Sequence, residues 1–113
     1  MTYDLEERTA LFGETIIRFA RSIKLDEITR PMVRQIVRSG TSIGANYMGA
    51  NQASSKKDFK NKIRISQKEA NETKHWLRMI AASCPARKLE CRQHWQEAHE
   101  LTLIFAKISR ISK

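Results

Sequence analysis

Apolar residues recur along this chain in steps of three and four, and no alternating strand pattern competes with them. Leu5, Thr9, Phe12, Ile16, Phe19 and Ile23 follow one such course, which predicts a helix with one apolar seam, ending near Leu25. Asp4, with Glu7 three residues on, resembles a capping box with Asp in the Ser/Thr place. A second course runs through Val33, Ile36, Val37, Gly40, Ile43, Gly44 and Tyr47. Pro31 suits its first turn, and Thr29 and Arg30 before it suit a break. Glycines at 40, 44 and 49 each disfavour a helix interior by about 1 kcal/mol relative to Ala, so propensity alone argues for a loop. The unbroken apolar period predicts a helix all the same, one in which Gly40 and Gly44 let a neighbour approach closely.

Ser55 with Asp58 again has the form of a cap. Behind it lies the longest seam: Phe59, Ile63, Ser66, Ala70, Thr73, Leu77 and Ile80. This helix should stop near Ser83, because Pro85 disfavours a helical Cys84. A last segment, from about Lys88, carries Cys91, His94, Ala98, Leu101, Phe105 and Ile108 at the same spacing. Four helical segments joined by short links predict an all-α fold, an antiparallel up-down-up-down four-helix bundle. With 113 residues and 13.1 kDa, the chain makes one domain, residues 1–113.

The apolar surface is wider than one seam. Ile65, Trp76 and Met79 flank the third stripe, and Trp95, Ile104 and Ile111 widen the fourth. A small bundle buries about one stripe per helix, so the excess predicts self-association. Packing under loops and helix ends is the plainer alternative.

Charge alters this picture. Lys and Arg number 21 against 12 acids, a net +9 in a chain that is 41% apolar, and that apolar share excludes a disordered basic tail. The longest uncharged stretch, residues 39–55, is too rich in Ser, Gly, Thr, Asn and Gln to span a membrane. Residues 1–8 lack the basic-then-apolar order of a secretory signal. A cytoplasmic location follows as the expectation, with Cys84 and Cys91 as reduced thiols. Residues 54–83 hold eight bases and three acids, so +5 of the total belongs to the third helix. At about 100° per residue, Lys57, Lys60, Arg64, Lys68, Lys74 and Arg78 share the face away from the seam, beside Gln67 and Asn71. Such a stripe suits phosphates, each cation adding a counterion-release contribution. A solvated Lys-rich face is the competing reading, for no aromatic interrupts the stripe to stack bases.

Catalytic signatures are missing. Gly44 and Gly49 have the spacing of a phosphate loop, but Ala50 and Asn51 stand where Lys and Ser or Thr are required. Glu72-x-x-His75 has the spacing of a di-metal carboxylate site without its second copy. Cys84, Cys91 and His94, with His75 or His99, are soft ligands at the wrong separation for common zinc sites. The expectation is a non-enzyme with no metal, no cofactor and no small-molecule substrate. Glu69 and Glu72 sit at the edge of the apolar seam near Trp76, where an unpaired carboxylate is costly. Arg38, Arg34 or Lys62 would supply an ion-pair network that fixes helix register or a subunit contact.

The run Arg38-Ser-Gly-Thr-Ser-Ile-Gly-Ala-Asn-Tyr47, then Ser55-Lys-Lys-Asp-Phe59 and Lys68-Glu-Ala-Asn-Glu-Thr-Lys-His-Trp-Leu77, strongly resembles a family of four-helix bundles. These are the proteins encoded in intervening sequences of bacterial large-subunit ribosomal RNA genes. Arg8-Thr9 and Phe12 fit as well. The resemblance covers nearly the whole chain and is clearest between residues 36 and 80. It implies an antiparallel bundle, typically assembled as a ring of five, with no known catalytic activity. A distant relative in diversity-generating retroelements is an accessory factor that binds a reverse transcriptase and nucleic acid through a basic surface. The family's recurrent Arg38, Ser39, Asn46, Tyr47, Lys56, Asp58, Phe59, Lys62, Lys68, Glu69, Glu72 and Trp76 are all present. Gly49 stands where an acid is frequent, and His75 where an aromatic is. Two functions are therefore expected: an RNA or ribonucleoprotein contact through the basic helix face, or a protein-interaction scaffold with no nucleic-acid ligand.

Overall fold

Three of the four helices begin where a side chain takes over an orphaned amide. In the computed structural model, which describes residues 4–112, α1 spans Leu5–Arg21 and the Asp4 carboxylate accepts from the Glu7 amide at 3.0 Å. Helix α2 spans Thr29–Asn51, α3 spans Lys56–Ser83 and α4 spans Lys88–Ile111. Ser55 Oγ accepts from the Asp58 amide, as its spacing predicts. A short 3-10 turn, Pro85–Arg87, joins α3 to α4.

Two boundaries differ from the expectation. Helix α1 ends at Arg21 rather than near Leu25, with Ser22 Oγ donating to the Phe19 carbonyl and the chain turning there. Ile23 remains buried beyond the helix end. Helix α2 starts at Thr29, ahead of Pro31, because Asp26 Oδ1 accepts from the Ile28 and Thr29 amides and builds the turn earlier.

The helices pack in chain order, each antiparallel to the last, and α3 at 28 residues runs most of the 44 Å long axis. Helix α2 is continuous through its glycines. A β-carbon at Gly40 would lie 2.9 Å from Ile16 Cγ2, and one at Gly44 would lie 3.1 Å from Thr9 Oγ1. These two positions carry no side chain because α1 occupies the space. The core joins Phe12, Ile16 and Phe19 of α1, Ile36 and Ile43 of α2, Ile63, Leu77 and Ile80 of α3, and Leu101 and Phe105 of α4. Polar side chains inside it are satisfied: Ser39 Oγ and Thr73 Oγ1 lie 2.8 Å apart, and Ser66 Oγ donates to the Ile43 carbonyl at 3.0 Å. Of the flanking apolar residues, Trp76, Trp95 and Ile104 lean on the core, whereas Ile65 and Ile111 stay exposed. Among the described residues no helix is long and apolar enough to cross a membrane.

Candidate nucleic-acid interface

Helix α3 carries its charge on two edges, and the two are treated differently. Along the edge facing α2, Arg38 Nη1 donates to both oxygens of Glu69, at 3.2 and 3.1 Å, and its Nη2 donates to Glu72 Oε2. Arg38 Nε donates to Gln35 at 3.2 Å, which fixes the fork from behind. Burial, the largest influence on Glu72, pushes its carboxyl up. The hydrogen bonds and charge of Arg38, with Lys68 nearby, outweigh it and hold the carboxyl below its ordinary range. Of the partners offered by the sequence, Arg38 takes both acids. With the Arg38 side chain 46% exposed, this clamp adds little stability.

Along the outer edge the cations outnumber the acids, Glu72 being the one acid in the groove there. Lys57, Arg64, Lys68 and Arg78 are exposed and Lys60 is half-buried. Among the described residues none of these five forms an ion pair within 4 Å, since the clamp on the other edge has taken Glu69 and Glu72. Lys74 departs from the stripe. It turns toward α4, with Nζ 3.1 Å from His99 Nδ1 and 5.0 Å from the centre of the Trp95 ring. Gln67, Lys68 and Asn71 line a shallow outer groove with Arg64, Glu72 and His75.

The remaining motif residues serve packing. Asn46 Nδ2 donates to the Ser42 carbonyl of its own helix, and the Tyr47 ring tilts against Phe105 at 5.9 Å. Phe59 and Trp76 pack on the core. His75 is exposed and meets only the edge of Trp76 among described aromatic rings. Cys84 and Cys91 are free thiols, and burial pushes the Cys91 thiol up to about 11. No group of three or more His, Cys, Asp or Glu among the described residues is arranged to hold a metal ion.

Two clusters escaped the sequence reading. Arg8 on α1 donates to both oxygens of Glu97 on α4 at 2.7 Å, and to Glu100 at 3.1 Å. Nothing local marks residues so far apart in the chain as partners. Trp95 and His99 stack at 4.9 Å; their four-residue spacing on one helix was the available signal.

Comparison with known proteins places this geometry. No curated protein matches the chain. A crystal structure of a protein of unknown function from the S23 ribosomal protein family, from Bacteroides thetaiotaomicron VPI-5482, is 31% identical, with a TM-score of 0.82. The match covers 92% of this chain and 96% of that one. The family of 23S rRNA-intervening sequence proteins matches residues 3–104, a span that takes in the α2–α3 clamp and the whole basic edge. With that span, the shared bundle and the Arg38, Glu69 and Glu72 motif in place, the chain belongs to the 23S rRNA-intervening sequence protein family.

Proposed function

We propose that this protein is a non-enzymatic, self-associating helix bundle that contacts RNA, or a complex containing it, through the outer edge of α3. The observation that carries the reading is the excess of cations on that helix: Arg38 takes Glu69 and Glu72, and Lys57, Lys60, Arg64, Lys68 and Arg78 form no ion pair among the described residues, only Lys68 lying close enough to Glu72 to act on its charge. The contact is electrostatic, made to phosphates rather than to base edges. Self-association multiplies the stripe, so that weak contacts add by avidity. A groove of about 440 Å³ between α1 and α2, lined by Ala10, Ile17, Ala45 and the exposed Met48, supports a second copy. The ring of five belongs to the same proposal, and a mass measurement in solution tests it.

Filter binding of a structured RNA at two salt concentrations is the direct test of the contact. With four phosphates engaged, affinity falls about a hundredfold from about 50 to 200 mM salt. Lys60→Glu with Arg64→Glu removes most of the binding. Salt-insensitive binding, or binding indifferent to that double substitution, rules the reading out. A captured protein that survives high salt and nuclease would favour the scaffold function.

A further inference from the structure

The basic edge of α3 lacks an aromatic platform of its own, yet one lies beside its C-terminal end. Leu77 and Ala81 of α3, with Cys91 and Trp95 of α4, line a pocket of about 350 Å³ that is predominantly apolar. Three exposed cations, Arg78, Lys88 and Arg92, line the same pocket. No acid lines it, and none of the three cations is ion-paired among the described residues. The two acids adjacent in sequence to its α4 lining are engaged elsewhere: Glu90 is taken by Arg87 at 2.6 Å and lies 3.2 Å from His94 Nε2, and Glu97 is taken by Arg8 at 2.7 Å. Trp95 is held in place: its ring stacks on His99 with planes 15° apart, and Lys74 Nζ, 3.1 Å from His99 Nδ1, lies 5.0 Å from its centre. The Cys91 thiol, its ionisation suppressed by burial, stays neutral and contributes only apolar surface.

We propose that this pocket accepts one unpaired base of a single-stranded RNA segment, with Trp95 as its aromatic wall and Arg78, Lys88 and Arg92 on the flanking phosphates. The inference rests on the reading of the basic edge as an RNA contact and adds a base-accepting socket to it. Size permits such an occupant, because the volume lies at the small end of ligand sites and leaves room for a planar ring system. Charge favours it. An apolar peptide would leave three cations without counter-charge, whereas an RNA strand presents a ring and a phosphate at each nucleotide. Arg78 belongs both to the pocket and to the α3 edge, so a strand bound along that edge leads to the socket, passing the one Glu72 that Arg38 already holds.

The test uses the full-length protein, a short oligoadenylate, an abasic oligomer of equal phosphate count and an RNA duplex. Fluorescence anisotropy should show the oligoadenylate binding about tenfold tighter than the abasic strand. Trp95→Leu, which removes the aromatic wall, and Ala81→Leu, which fills the pocket from a half-buried position, should each reduce that preference to parity. The salt dependence of duplex binding should be unchanged in both. Arg92→Gln, at an exposed site, serves where Trp95→Leu perturbs the helical circular-dichroism signal, and should weaken binding of both single strands. Equal affinity of the two single strands for the unaltered protein overturns the socket, as does a preference that survives both pocket substitutions. Salt-sensitive duplex binding without a base-dependent gain overturns the socket and leaves the basic-edge contact standing. Absence of salt-sensitive binding to every probe overturns both.

Discussion

Against α2, helix α1 relies on missing side chains; against α4, it relies on some of the longest the chain has. On the first side, Ile16 occupies the space above Gly40 and Thr9 the space above Gly44, with approaches near 3 Å for an added β-carbon. On the second side, the gap is spanned by the Arg8 fork on Glu97 and Glu100 and, from the turn just before α4, by Arg87, whose guanidinium lies 5.2 Å from the Phe19 ring centre and donates to Ser22 at the end of α1. Close packing is unforgiving of added volume, because the displaced atoms have nowhere to go. A half-exposed ion pair tolerates change, since water replaces either partner. The difference teaches that one seam fixes how the helices fit, while the other closes the bundle.

The largest effect should come from the tight seam. Gly40→Val should lower unfolding free energy in urea by about 2–3 kcal/mol, from overpacking against Ile16. Gly40→Ala should still destabilise, although Ala gains about 1 kcal/mol over Gly in a helix. If Gly40→Ala were stabilising, the close approach would not govern this interface. Arg8→Met should cost about 1 kcal/mol, a loss that shrinks as salt is added to the denaturation series. A cost equal to that of Gly40→Val would erase the contrast between the two seams. Gly49→Ala is the internal control: its β-carbon would meet only the Lys62 stem, at 3.5 Å, so a gain of about 0.5–1 kcal/mol is expected.

The smallest expected effect is on the acid side of the stability profile. Glu72 is held below its ordinary range by Arg38 and Lys68 against the opposing pull of burial; Glu90 is held low first by the Arg87 hydrogen bond. A carboxyl lowered in the folded state contributes stability that is complete above the unfolded value, about 4.3, and is lost as pH falls through the folded one. Thermal unfolding followed from pH 7 to about 3 should therefore show a decline beginning near pH 4–5. Arg38→Gln should shallow that decline. An unchanged profile would show that the clamp carries no linkage to protonation.

Legibility in the sequence followed the range of the interaction. The seams of α2 and α3 were readable because residues three and four apart report on one face, and Gly40 and Gly44 interrupted propensity without interrupting the period. The Glu69 and Glu72 clamp was readable because acids beside an apolar stripe demand a cation, and Arg38 lay within reach. Helix ends were less so: the Ser22 hydroxyl and the Asp26 turn moved two boundaries by a few residues, through local hydrogen bonds that compete with the helix. The Arg8 bridge was invisible, since its partners lie 89 and 92 residues away. The place of Lys74 depended on α4: a position on the stripe by angle alone became a cap on Trp95 once the neighbouring helix was present.

The Arg8 closure also bears on how the chain folds in time. Contacts between successive helices form between segments near in sequence and carry a small loop-closure cost, whereas joining α1 to α4 requires ordering almost the entire chain. We expect that bridge to form after the rate-limiting step. Arg8→Met would then leave the refolding arm of a chevron plot in place and raise the unfolding rate about fivefold, which makes one half-buried fork a determinant of how long the native bundle lasts rather than of how fast it is made.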